Sequence, residues 1–263
     1  MARSIYGIDI ARGAWATVCL VDGSLRLPPR GELVDYAELG GRLRRGDVAV
    51  LDIPLGLLNA RSGTGDRAVD RGCRKWCSSG SSVFPPPTKA QLAIALRGKR
   101  PKGLTVQTFG ICNAIESASV ARTSGAEIFE SHPEVVFSAL AKRRISAPKK
   151  TLRGVLDRVA LLETRVSFDI LAWVLEMEST HRGALANDWL DALAMAVVAK
   201  DWAERKRAVV SGETGDVVPW RKGMTEFVAM PDGSPPGPPQ SRRDPPTAAL
   251  VAPLRARPVM QSS

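Results

Sequence analysis

Five acidic residues in this sequence stand where apolar segments end or are interrupted. Asp9 ends the run "SIYGID", Asp52 ends "VAVLD" and Glu130 ends "AEIFE". Asp188 and Asp191 are three residues apart in "NDWLDALAMAVVA", so on a helix both project from one face. An unpaired charge in a dry apolar environment is costly. We therefore expect these acids to have partners or a chemical task.

The apolar runs that carry these acids predict an α/β sheet. The run "VAVLDI" is nearly continuous in apolar residues, which is typical of a central strand covered on both faces. In such a sheet the carboxyl ends of the strands share one edge, and sites form there. If the strands are neighbours, the acids converge at that edge.

Converging carboxylates indicate a metal site. Like charges do not all stay ionised in a dry cleft without cations. Mg²⁺ and Mn²⁺, which prefer oxygen ligands, are the natural partners. Two such ions about 4 Å apart can clamp the attacking and leaving oxygens of a displacement at phosphorus. The chemistry predicted by this arrangement is phosphodiester hydrolysis.

Each acid also has a structural interpretation, which the sequence leaves open. Asp9 and Asp52 could bond the backbone N–H groups of the turns that follow them. Glu130 could be a first-turn charge for the next helix, and Asp188 could be an N-cap. Asp191 is the hardest to explain in this way, because it interrupts an apolar run in mid-helix.

The remaining segments predict the frame around these acids. The stretch "AWATVCLVDGSLRL" predicts a hairpin that turns at Asp22-Gly23. "VDYAELGGRLRRG" is typical of a helix weakened by its glycines. We expect one domain over residues 1–229, with a helical insertion at about 61–122. The proline-rich residues 230–263 predict a disordered tail.

The charge balance predicts a polyanionic partner. The chain has 37 Lys and Arg against 27 Asp and Glu, a net charge of +10, which favours nucleic acid but also fits a merely soluble basic surface. Candidate phosphate contacts are Lys149, Lys150 and Arg158 in "KKTLRGVLDR". A solvated basic face is the alternative there, and also for the helix that begins near Arg67. Ser82 in "SSVFPPP" could bond a phosphate or cap a helix.

Several classes of protein are disfavoured. The N-terminus has no apolar stretch followed by a cleavage site, so we expect no signal peptide. No apolar run is long enough to span a bilayer. Four scattered cysteines without a secretory signal indicate a reducing cytoplasm. Neither GxGxxG nor GxxxxGK[ST] occurs.

Six motifs together resemble one family. "GIDIARGAW", "DIPLGL", "SSVFPPP", "FESHPEVVF", "KKTLRGVLDR" and "DWLDALAMA" occur in the order found in the domain-of-unknown-function 429 family, whose members are predicted nucleases of the ribonuclease H-like superfamily. The resemblance runs from about residue 4 to about residue 204. It implies a five-stranded mixed sheet, order 3-2-1-4-5, flanked by helices, with the helical insertion after the fourth strand.

The resemblance also implies site residues. Asp9, Asp52 and Asp191 match the superfamily's acid positions, with Asp188 beside them as a further metal ligand, and Glu130 joins the expected catalytic set through the family's own motif. His132 and Glu134 belong to the same "ESHPE" motif. His132 could bind metal, orient a carboxylate, move a proton or cap the helix begun by Pro133.

The sequence therefore predicts a metal-dependent nuclease that uses two Mg²⁺ or Mn²⁺ ions, binds nucleic acid and acts in the cytoplasm. Two other functions stay open. One is a nucleic-acid-binding protein that keeps the fold without catalysis. The other is an ATP-using phosphotransferase of the sugar-kinase and actin type, whose first phosphate loop "GIDIARGAW" loosely resembles. The oligomeric state is not predicted.

Overall fold

The computed structural model describes most of the chain. The described residues are 3–59, 65–77, 83–211, 216–219, 224 and 227–231. Ser82, a predicted substrate contact, lies outside them, as do residues 232–263, which make up nearly all of the predicted tail.

The central sheet has five strands in the order β3-β2-β1-β4-β5, which confirms the predicted order. Its strands are β1 (Ile5–Ala11), β2 (Ala14–Cys19), β3 (Arg30–Asp35), β4 (Val48–Leu51) and β5 (Glu127–Glu130). β1, β2 and β3 pair antiparallel, whereas β1, β4 and β5 pair parallel. The parallel half brings the carboxyl ends of β1, β4 and β5 to one edge, as predicted.

Helices cover both faces of this sheet. They are α1 (Leu39–Arg42), α2 (Ala68–Arg74), α3 (Lys89–Ala95), α4 (Val106–Gly110), α5 (Cys112–Ala121), α6 (Pro133–Leu140), α7 (Leu152–Glu163), α8 (Ile170–Thr180) and α9 (Ala186–Ala203). α9 lies across β1 and β4 on one face with α6 and α8 beside it, and α1 and α5 pack together on the other. Within the described residues, no helix has the length and apolar character needed to cross a membrane.

A second, three-stranded antiparallel sheet was not predicted from the sequence. It consists of β6 (Ala208–Ser211), β7 (Asp216–Pro219) and β8 (Val228–Met230), in the order β7-β6-β8. Val210 and Val228 of this sheet pack with Val69 of α2 and Val135 of α6 in a separate apolar cluster. β8 thus runs one residue past the boundary at residue 229 that the proline content had predicted.

The predicted hairpin and first helix differ from the structure. Asp22 and Gly23 do take positive φ angles of 52° and 62°, as a tight turn requires, but the strand that pairs with β2 begins only at Arg30. The segment predicted as a helix is strand up to Asp35, and its helix is limited to Leu39–Arg42. Cross-strand pairing with β2 outweighs the weak helix propensity there.

Strand alternation directs Asp9 toward α9. In β1, Ile5 and Ala11 pack in the core beneath α9, whereas Ile8 packs in the core beneath α5. Because side chains alternate along a strand, Gly7 and Asp9 face α9. A Cβ at Gly7 would overlap the backbone of Ala192 and Ala196. The absence of a side chain at Gly7 therefore lets α9 lie directly on β1, next to Asp9.

We expect Gly7→Ala to destabilise the fold by about 3 kcal/mol or more, since either α9 or β1 must move. Urea denaturation of the metal-free protein measures this. Gly41→Ala is the matched control, because a Cβ at Gly41 meets no atom within 4 Å, and alanine is the better helix former. Equal stability of the two variants would contradict the close approach of α9 to β1.

Candidate active site

Asp9, Asp52 and Asp191 meet at the carboxyl edge of the parallel strands. Ile8 pairs with Leu51, so the next residues, Asp9 and Asp52, are neighbours on adjoining strands about 4.8 Å apart. The Asp52 backbone N–H donates to the Ile8 carbonyl at 2.9 Å. α9 brings Asp191 to the same place from the covering face. Asp9 is 4% exposed and Asp191 is 0% exposed.

The electrostatics of these carboxylates show that they interact. Burial, followed by the charges of Asp52 and Asp191, raises the pKa of Asp9 well above its ordinary value. Burial also raises the pKa of Asp191 to about 6, against the lowering effect of Lys149. Both acids therefore resist ionisation, because they share a site that is dry and already negative.

Lys149 contributes a cation to this site. Its Nζ donates to Asp191 Oδ2 at 2.7 Å. Burial alone would lower the pKa of this ammonium, but the charges of Asp191 and Asp9 raise it above the ordinary value. The other oxygen, Asp191 Oδ1, is buried without a hydrogen-bond partner in the described part of the chain. The charge of Lys149 thus acts on all three carboxylates, and within the described residues Asp191 keeps one oxygen without a donor.

A buried arginine positions the segment that carries Lys149. Arg158 donates from Nη2 to Glu134 Oε1 at 2.5 Å and from Nη1 to the Ala147 and Gly154 carbonyls at 3.3 Å and 3.0 Å. A Cβ at Gly154 would overlap the Pro148 carbonyl. Arg158 is 1% exposed. Its predicted contact with substrate stays a prediction, and in the structure it holds the Lys149 loop against α7.

Asp188 combines a structural contact with proximity to the acids. It is the third residue of α9, and Oδ2 accepts from the Leu185 backbone N–H at 2.9 Å, as in a capping box. Oδ1 accepts from Asn187 Nδ2 at 2.7 Å. Burial raises the pKa of Asp188, and its charge contributes to the raised pKa of Asp9. The structural role is thus in the first turn of the helix and not at the N-cap itself.

Glu130 lies on the other face of the sheet from Asp9. It pairs with Leu51, whose side chain packs in the core beneath α5, and cross-strand neighbours share a face. Its Oε1 accepts from Arg67 Nη2 at 2.5 Å, and its Oε2 accepts from Arg67 Nη1 and the Leu55 backbone N–H, both at 2.8 Å. Both oxygens of Glu130 are therefore engaged away from the three aspartates.

Arg67 lies in a buried ion-pair network that sequence reasoning did not predict. The sequence left a phosphate contact or a solvated basic face open for its helix, but Arg67 is 6% exposed and bridges Glu130 and Asp70. Asp70, three residues on, also accepts from the Arg67 backbone N–H. That i, i+3 acid was the one available signal of a paired arginine.

We expect Arg67→Met to destabilise the protein by about 3–5 kcal/mol, because it leaves two buried carboxylates without their cation. Thermal and urea denaturation at pH 7 measure the effect. The control is Arg97→Met, which changes an exposed arginine and should leave stability within about 0.5 kcal/mol. If Arg67→Met loses no more stability than Arg97→Met, the buried arginine network does not stabilise the fold.

The other predicted residues occupy different positions. His132 precedes α6 as its N-cap residue without a side-chain cap bond, and together with Asp52 it lines a pocket at the sheet edge. Glu134 is half-buried against Arg158, whereas Lys150 is exposed.

The fit of these residues to a divalent ion is partial. Carboxylate oxygens are the donors that Mg²⁺ and Mn²⁺ prefer, and the spare Oδ1 of Asp191 and the raised pKa values indicate a local excess of negative charge. Across the described residues, however, no group of three His, Cys, Asp or Glu side chains is arranged to hold an ion. Donor type and charge fit a cation, and the described side chains would have to move to complete its ligand shell.

Comparison with known proteins identifies one family. A family model described as "Protein of unknown function (DUF429)" matches residues 7–214. The matched segment contains all three aspartates, Lys149 and the Arg67 network. No curated protein and no solved structure gives a significant match to the chain.

Proposed function

The chain belongs to the DUF429 family, and we propose that it is a divalent-metal-dependent nuclease that hydrolyses phosphodiester bonds. The observation that carries this proposal is the meeting of Asp9, Asp52 and Asp191 at one sheet edge, where the charges of Asp52 and Asp191 raise the pKa of buried Asp9 and the charge of Asp52 raises that of buried Asp191. A site that concentrates negative charge in this way favours a bound cation, and strongly shifted acids cluster at functional sites.

We assign a metal-binding role to the aspartates and a phosphate-binding role to Lys149. Asp9, Asp52 and Asp191 would hold Mg²⁺ or Mn²⁺, with two ions expected and Asp188 beside them. A bound ion would supply a water of lowered pKa and stabilise the leaving oxygen. Lys149 would donate to a phosphate oxygen once Asp191 turns away from it, because an ammonium released from one anion readily binds another.

The substrate proposed is nucleic acid. A net charge of +10 attracts a phosphate backbone, and such binding weakens as salt rises. Exposed Lys150 lies next to Lys149 and extends the positive charge outward. The described cysteines are free thiols, which supports action in a reducing compartment such as the cytoplasm.

A cleavage panel tests this proposal. End-labelled single-stranded, duplex and branched DNA and RNA are incubated with Mg²⁺, Mn²⁺ or EDTA. We expect at least one substrate to be cut with metal and none with EDTA. Glu116→Gln, which changes an exposed acid on α5, should keep full activity. Cleavage that persists in EDTA would contradict the proposal.

The Lys149–Asp191 pair favours one second candidate, a nucleic-acid-binding protein without catalysis. A side chain that already neutralises Asp191 at 2.7 Å could substitute permanently for a metal. That candidate predicts nucleic-acid binding that Mg²⁺ and Asp9→Asn leave unchanged, with no cleavage of any substrate in the panel.

A further inference from the structure

A pocket adjoins the aspartate site. It has a volume of about 90 Å³, and Asp52 and His132 contribute to its lining. Apolar side chains from separate parts of the chain, among them Ile53, Phe84 and Ile111, form much of the remaining wall. A water needs about 10–15 Å³ of such space, so the pocket has room for a small ring. Because Asp52 belongs to both, a group in this pocket would lie next to whatever the aspartates bind.

The polar atoms of the buried arginine are already committed. Arg67 also lines the pocket. Its Nε donates to Asp70, its Nη1 to Glu130 and the Gly56 carbonyl, and its Nη2 to Asp70 and Glu130. All five guanidinium hydrogens are therefore used. Arg67 cannot clamp a phosphate without breaking this network, and what it can still offer a ligand is the flat face of the guanidinium.

The apolar lining of the pocket and the occupied donors of Arg67 limit the chemical class of ligand that can bind. A phosphate or carboxylate would find the Arg67 donors occupied and the Asp52 and Glu130 charges repulsive. A neutral planar ring would pack against Phe84 and the guanidinium face, which are the kinds of surface on which nucleic-acid bases stack, and it would contact Ile111 at its edge. The adjacent aspartate site, by the function proposed above, holds the phosphodiester to which such a ring is attached.

We propose that this pocket receives one base of the nucleic-acid substrate, unstacked from its neighbours. The inference rests on the proposed nuclease function and deepens it. A base paired inside a duplex cannot enter a side pocket unless it leaves the stack, which costs energy. The protein therefore binds strands that present an unpaired base in preference to intact duplexes.

Two variants alter the pocket without touching the aspartates. Phe84→Ala removes the aromatic wall, and Ile111→Trp puts a larger side chain at another lining position. Stacking of a base on an aromatic side chain strengthens binding roughly tenfold. Val106→Ala is the control, because Val106 is apolar and 65% exposed and does not line the pocket. Thermal denaturation confirms that each variant is folded.

The probes are the single strands (dT)12 and U12. Each is compared with an abasic single-stranded 12-mer that has the same sugar, linkage and number of phosphates. Binding is measured by fluorescence anisotropy in EDTA at fixed salt, so that no cleavage occurs. We expect the wild type and Val106→Ala to bind at least one base-containing strand about tenfold more tightly than its abasic partner. Phe84→Ala and Ile111→Trp should lose about tenfold for that strand and nothing for the abasic one.

Two results would overturn the base pocket. One is that both pocket variants weaken the binding of base-containing and abasic strands equally, or that both variants leave the binding of both kinds of strand unchanged. The other is that the wild type does not distinguish base from abasic strands. If metal-dependent cleavage occurs in the panel but either result is obtained, the nuclease function stands and the pocket proposal fails. If the protein binds none of the strands, both the pocket and the proposed substrate are wrong.

Discussion

Asp9→Asn is expected to reduce phosphodiester cleavage about a thousandfold or more, equivalent to about 4 kcal/mol, while making the metal-free protein more stable at pH 8. The loss of activity follows because a neutral amide oxygen holds a divalent ion much more weakly than a carboxylate does. The gain in stability follows because Asp9 is 4% exposed and faces the charges of Asp52 and Asp191.

The pH dependence of this gain has a definite sign. The pKa of Asp191 rises from 3.8 in the unfolded chain to about 6 in the folded protein, and that of Asp9 rises as well. Between the unfolded and folded values the folded state binds more protons, so its stability falls as pH rises. For Asp191 this loss is on the order of 3 kcal/mol between pH 4 and pH 7.

Urea denaturation in EDTA at pH 4 and pH 8 measures the effect of Asp9→Asn. The variant should gain about 1.4 kcal/mol over wild type at pH 8 for each pKa unit by which burial and the charges of Asp52 and Asp191 raise the pKa of Asp9, and much less at pH 4. Glu116→Gln should match the wild type at both pH values. If the variant is destabilised equally at both pH values, favourable bonds made by Asp9 outweigh the repulsion between Asp9 and the other carboxylates.

Lys149→Met is expected to destabilise the metal-free protein by about 1–3 kcal/mol at pH 8, because it leaves the buried Asp191 carboxylate without its charged partner. The partial exposure of the Lys149 side chain, 37%, places the effect below that of a fully buried pair. Without the ammonium, the pKa of Asp191 should rise further above 6. The destabilisation is therefore present above that pKa and disappears as pH falls below it.

A double-mutant cycle isolates this interaction. Asp191→Asn removes the charge that Lys149 neutralises, so Lys149→Met should cost little in that background. Lys150→Met is the matched control, since Lys150 is adjacent and exposed and should be neutral. Additive losses in the double variant, or an equal loss from Lys150→Met, would mean that the pair does not stabilise the fold.

The sequence was informative where a local pattern decides the structure. Asp9 and Asp52 end apolar runs, and chain direction alone places such ends at one edge of a parallel sheet. Asp191 interrupts an apolar helix, so its carboxylate was expected to have a polar or charged partner and not to pack among apolar side chains. The strand order, by contrast, came from the resemblance to a family and not from the periodicity of the strands.

Register explains why Glu130 does not join the three aspartates. It also ends a strand, but the pairing of β5 with β4 sets it level with Leu51 and not with Asp52. A shift of one residue reverses the face of every side chain in a strand. Register depends on contacts between strands that are distant in sequence, so the ending of a single strand cannot reveal it.

Long-range ion pairs were also beyond sequence reasoning. Lys149 and Asp191 are 42 residues apart, and Arg67 and Glu130 are 63 apart. In sequence, Lys149 resembles any surface lysine and Arg67 any helix-end arginine. Only the packing of α7, α9 and α2 around the sheet brings these cations to their acids.

The most direct test of the proposed metal site is anomalous X-ray scattering from crystals of the wild-type protein soaked in Mn²⁺. We predict an anomalous peak within bonding distance of the carboxylates of Asp9, Asp52 and Asp191, with Lys149 Nζ displaced from Asp191. No such peak should occur in crystals of Asp9→Asn. Fully soaked wild-type crystals in which Lys149 still donates to Asp191, with no peak among the three aspartates, would contradict the account.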